Sequence, residues 1–197
     1  MAAGGTRKAG SAQANLVLCH VWSCAMTDDI TVVAGIPIPS TSPVFLTIVA
    51  VHVLFGLVCS IAGVIAMLSR KRRGRHSDFG TIYYWCLVAV FVTAAALAAV
   101  RWAEDYHLFI FGALALMAAY WARGAARRGE PGWVQRHITG MGLSYILLLT
   151  AFYVDNGKSL PLWKELPQWA FWVLPSVIGA PIIINALLRH PLVRRRM

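Results

Sequence analysis

The chain alternates long apolar stretches with short charged ones, and that alternation dictates its architecture. The clearest apolar stretch runs from Val44 to Leu68, with no charge and one ionisable side chain, His52. At 1.5 Å per residue, a helix of this length crosses a hydrocarbon core of roughly 30 Å. Four more stretches follow, from Gly80 to Val100, Tyr106 to Ala122, His137 to Val154 and Trp169 to Leu188. The third is the shortest, and its helix is expected to begin further back, at Trp102 or Ala103. The spans are then about 44–68, 80–100, 103–122, 137–154 and 169–188. This pattern predicts an all-α integral membrane protein with five transmembrane helices. Spans one to four form a four-helix core bundle, and Pro175 and Pro181 bend the fifth.

Residues 1–43 read as a flexible extension and residues 189–197 as a basic tail, flanking a transmembrane domain over 44–188. The first fifteen residues are rich in Ala and Gly and look disordered. The next piece, LVLCHVWSCAM, is apolar over about a dozen residues, too few to cross. It resembles the apolar region of a signal peptide but is not followed by a clean A-x-A-like cleavage site. Pro37, Pro39 and Pro43 then favour an extended approach to span one.

Composition agrees with the pattern. Hydrophobic residues make up 58% of the chain and charged ones 13%, with a mean hydropathy of +0.63, outside the range of a soluble domain. The net charge of +10 would suggest nucleic acid in a soluble protein. Here the basic residues sit in short clusters between apolar runs, which points to anionic lipid headgroups and no nucleic acid. Thirteen of the 18 Lys and Arg residues fall in the segments after spans one, three and five. The positive-inside rule then puts the C-terminus in the cytoplasm and the N-terminus outside, in a bacterial inner membrane. Cys59 and Cys86 read as small core residues, while Cys19 and Cys24 allow at most one bridge in the external tail.

All eight carboxylates are assigned to loops or tails, which disfavours proton-coupled or cation-coupled transport through His52. Nor does the chain carry H-E-x-x-H, a phosphate-binding glycine loop or G-x-S-x-G.

The histidines are the candidate chemistry. His52 lies in the outer half of span one and His107 opens span three on that side; His76 precedes span two and His137 opens span four on the cytoplasmic side. Neutral imidazoles on facing helices can supply both axial positions of a haem iron. Gly56, Gly80, Gly140 and Ser144, three to seven residues after a histidine, place small side chains on the same helical face. Arg75, Arg101 and Arg136 stand close enough to a histidine or a span end to pair haem propionates. Each feature also has an ordinary reading. Small residues on a span serve helix packing, and histidines at span ends sit comfortably among headgroups. His52 and His107 also differ in depth, while His20 and His190 read as non-ligands.

At AVHVLFGLVCSIAGVIAML, RHSDFGTIYY, RHITGMGLSYILLLTAFYV and WVLPSVIGAPIIINALL, the chain resembles a family of uncharacterised bacterial multi-span membrane proteins of unknown function. Ser77 stands where that family usually has a basic residue. More distantly, the histidine plan is similar to that of the transmembrane two-haem cytochromes b, in which the first and third, and the second and fourth, core helices share a haem. That resemblance implies b-type haem, one or two per chain, on the pairs His52 with His107 and His76 with His137. It also implies a membrane oxidoreductase passing electrons from a donor to an acceptor, with five spans here in place of six. The alternative is a non-enzymatic membrane protein, such as an assembly factor, small permease or partner-binding subunit, with structural histidines. Asn185, Pro175 and Pro181 would then line a cavity.

Overall fold

The computed structural model describes residues 31–33, 36–38, 43–70, 74–161 and 163–194. The expectations for the first thirty residues, including Cys19, His20 and Cys24, lie outside the described residues. The chain divides into two units, Met1–Ser42 and Pro43–Met197. In the first, β1 (Thr31–Val33) and β2 (Ile36–Ile38) pair antiparallel, with Val32 opposite Pro37. The extended approach expected from the prolines is therefore in part a small hairpin, and proline is tolerated because a two-stranded ribbon has only edge strands.

The second unit is all-α. Its helices are α1 (Pro43–Leu68), α2 (Arg75–Val100), α3 (Trp102–Arg128), α4 (Trp133–Asn156), α5 (Gln168–Arg189) and the single turn α6 (Pro191–Arg194). The first five are long and apolar enough to cross a membrane. All five expected spans are present, but α2, α3 and α4 overrun them by four to six residues at the arginine-rich end. Hydrophobicity stops at the membrane boundary, whereas backbone hydrogen bonding continues until a residue ends it. Gly129 does so for α3 in the left-handed conformation (φ 62°), its N–H bonded to the Ala125 carbonyl. At the opposite end α2 and α3 are joined by Arg101 alone, which caps both.

One consequence corrects the carboxylate assignment. Asp78, Glu104, Asp105 and Asp155 lie inside helices, in their end turns. The middle of every helix remains free of acid.

The helices pack in sequence: α1 along α2, α2 along α3, α3 along α4 and α4 along α5. Where all four core helices meet, small residues of α1 (Cys59, Ala62) and α3 (Ala115, Ala119) surround Tyr83, Cys86 and Leu87 of α2, with Met141 and Tyr145 of α4 against them. Small side chains matter here because lipid offers no hydrophobic drive between helices; close backbone approach and hydrogen bonds provide the cohesion. Tyr83 Oη lies 2.7 Å from Ser144 Oγ, and Tyr145 Oη donates to the Ser60 carbonyl at 3.1 Å. The fifth helix meets α4 through two reciprocal contacts. Ile183 of α5 fills the space over Gly142, and Ile146 of α4 fills the space over Gly179. The helix runs through Pro175 and Pro181, and Pro175 is buried.

Candidate functional site at the histidine-bearing helix ends

The overrun of α2 and α4 carries His76 and His137 into helices, at the second and fifth residues respectively. Their positions become fixed relative to each other. The two rings meet edge to face, with centroids 6.0 Å apart and planes at 76°, between residues 61 positions apart in sequence. Trp133, one turn before His137, packs its indole 6.3 Å from the imidazole.

His76 is oriented by the end of α1. The last carbonyls of a helix have no partner within it. Ser69 satisfies Ile65 through both its N–H and its hydroxyl, and His76 Nδ1 lies 2.8 Å from the Ala66 carbonyl oxygen. A carbonyl only accepts, so Nδ1 carries the proton and Nε2 of the neutral ring keeps its lone pair. The end of α1 thus holds an imidazole of fixed tautomer beside the His137 ring.

His52 and His107, expected on the opposite side, are held differently. His52 Nδ1 lies 2.9 Å from Thr93 Oγ1 of α2. That hydroxyl donates to the carbonyls of Ala89 (2.8 Å) or Val90 (3.0 Å), so it accepts from His52. His107 lies beside the indole of Trp172 on α5, at 6.2 Å between centroids, and beside Tyr106. The expected inner pair is therefore in ring contact, whereas His52 and His107 are each seated against another residue. Arg101, Glu104, Asp105 and Asp155 lie in the helix ends on this side of the bundle.

The arginines also separate. Arg136 pairs with Glu130 and donates to the Pro131 carbonyl at 3.0 Å. Arg128 takes the other Glu130 oxygen, and these two guanidinium groups hold the Glu130 carboxyl below the usual glutamate range, with the Arg128 hydrogen bond the larger influence. Arg75 is exposed beside His76 at the start of α2.

The small residues divide by position. A Cβ on Gly56 or Gly80 would meet nothing within 4 Å, whereas one on Gly140 would lie 2.7 Å from the Ala122 Cβ and 2.9 Å from the Ala118 carbonyl oxygen. Gly140 therefore serves the contact of α4 with α3, and Ser144 is committed to Tyr83. Among the described residues, no group of three or more His, Cys, Asp or Glu side chains gathers to hold a metal ion, so two imidazoles are the donor set on offer.

Sequence reasoning did not identify Thr93, Ala66 or Trp172 as partners of the histidines. Thr93 had a signal, being the only hydroxyl in the outer half of α2. A backbone carbonyl such as that of Ala66 has none. Comparison with family models, with curated proteins and with solved structures returns no match.

Proposed function

We propose that this chain is an inner-membrane electron carrier, N-terminus outside and C-terminus cytoplasmic, whose redox group is a b-type haem held by His76 and His137. The observation that carries this reading is the approach of those two rings across two helices, with the His76 tautomer set by a carbonyl. His76 and His137 would hold the iron, each through an imidazole nitrogen, from two neighbouring helices. Paired imidazoles are a donor type that b-type haem takes. When bound, the haem supplies one-electron chemistry at a potential tuned by its ligands and surroundings.

The chain's own residues do the rest. The Ala66 carbonyl orients His76, as outer partners of ligating histidines do. Trp133 limits water access to His137, and Arg75 is the basic residue placed to meet a propionate. The test is a reduced-minus-oxidised absorption spectrum of protein expressed with ample haem. A Soret band with α and β bands is expected, lost in His76→Ala and in His137→Ala; a colourless wild-type protein overturns the proposal.

A second reading, a non-enzymatic membrane protein with structural histidines, is favoured by the close helix contact at Gly140. It requires that function survive removal of both rings.

A further inference from the structure

At the arginine-rich end, a second site stands apart from the histidines. A cleft of about 350 Å³ opens between α2 and α3, lined by Tyr84, Trp85, Tyr120, Arg123, Arg127 and Arg128. Helix α3 is 27 residues long, about 40 Å at 1.5 Å per residue, while the hydrocarbon core is roughly 30 Å thick. The surplus turns emerge at headgroup depth, and Arg123, Arg127 and Arg128 are on them. Tyr120, Arg123 and Arg127 share one face at helical spacing.

The cleft is preorganised. Arg123 lies over the Tyr84 ring, 4.8 Å from its centroid, and donates to Thr81 Oγ1 at 3.3 Å and the Gly80 carbonyl at 3.5 Å. Arg128 folds back along Gly124 while paired with Glu130. Among the described residues, neither Arg123 nor Arg127 forms an ion pair. Two arginines with no carboxylate partner thus line one cleft together with Tyr84 and Tyr120. Guanidinium groups in this arrangement match a phosphate.

One turn from Tyr120, toward the middle of the same helix, the apolar Met117 is exposed. We propose that this cleft binds the headgroup of an anionic phospholipid, with its phosphodiester between Arg123 and Arg127 and an acyl chain running past Tyr120 and Met117. The exposed Trp85, Tyr120 and Met117 beside the arginines favour a lipid over a free phosphate ion, and aromatic residues of this kind sit at the membrane interface.

The experiment uses the full-length protein, delipidated in detergent and titrated separately with phosphatidylglycerol, phosphatidylcholine of the same chains, and inorganic phosphate, with lipid adducts read by native mass spectrometry. Wild-type protein is expected to retain phosphatidylglycerol well above phosphatidylcholine. At about 1 kcal/mol per basic residue, Arg123→Gln with Arg127→Gln lowers that retention about 30-fold. The exposed Arg127→Gln alone, which breaks no hydrogen bond within the protein, lowers it about fivefold and keeps the proposal testable should the double variant unfold. Arg189→Gln, at the same end and outside the cleft, leaves retention unchanged. Equal retention of both lipids, unchanged retention in the Arg127 variant, or displacement of phosphatidylglycerol by millimolar inorganic phosphate would each overturn the proposal.

Discussion

Tyr83 donates its hydroxyl hydrogen to Ser144, 2.7 Å away, in the buried centre of the bundle. The direction follows from Ser144, whose own hydrogen is given to the Met141 carbonyl at 3.0 Å. The bond joins α2 to α4, the same two helices that carry His76 and His137. It fixes their rotation, and the ring contact at the helix ends depends on that rotation.

Tyr83→Phe is therefore expected to destabilise the protein by about 1 kcal/mol, within the range found for hydrogen bonds between membrane helices. Ser144→Ala should cost a similar amount, and the double variant less than the sum, because both remove one bond. Unfolding in detergent followed by circular dichroism measures all three. Additive losses would mean that the hydroxyls act separately.

The glycines give a second contrast. Gly140→Ala places a methyl against the Ala122 side chain and the Ala118 carbonyl, and overpacking of this kind typically costs about 1–3 kcal/mol. Gly56→Ala and Gly80→Ala meet open space and should leave stability unchanged or slightly improved, since alanine is the better helix former. Melting temperatures of the three variants, each compared with wild type, check the ordering.

These contrasts bear on what the sequence could reveal. Five spans follow from length and hydrophobicity, because a membrane tolerates few alternatives to a continuous apolar helix. Helix ends do not, because the residues from Arg75 to Phe79 are polar enough to read as a loop yet keep helical hydrogen bonds. His76 and His137 could be chosen from their spacing and side, but His52 and His107 could not be separated from them. Whether an imidazole faces another ring, a threonine hydroxyl or an indole depends on helix rotation, and rotation is set by distant contacts such as Tyr83 with Ser144 and Ile183 over Gly142. The histidine–glycine spacing was similarly ambiguous, since Gly80 and Gly140 look alike in sequence and differ only in what the neighbouring helix brings.

Glu130 provides a pH-dependent prediction. Its carboxyl is held below the ordinary glutamate value of about 4.3 by Arg128 and Arg136. Its contribution is thus fully present above that value and lost as the pH falls through the lower, folded value. The guanidinium ¹⁵N shifts of Arg128 and Arg136 should hold steady from pH 7 to about pH 4 and change together below it. In Glu130→Gln that joint change should vanish. Because the site is exposed, the effect on global stability is expected to be small.

The arrangement of the histidines also predicts a stoichiometry. Among the described histidines, only His76 and His137 stand ring to ring, whereas His52 is bonded to Thr93 and His107 lies against Trp172. If the inner pair is the haem site, a pyridine haemochrome assay should return about one haem per chain, a number set by the single donor pair and its two axial positions. His52→Ala should then leave both the haem content and the α band intact, while costing some stability through the Thr93 bond. His76→Ala should lose the haem, and so should His137→Ala. Two haems per chain, or loss of a band in His52→Ala with the inner histidines intact, would mean that α1 and α3 rotate on binding to bring His52 and His107 together. That outcome would move the outer site from the Thr93 and Trp172 contacts to the arrangement implied by the two-haem resemblance.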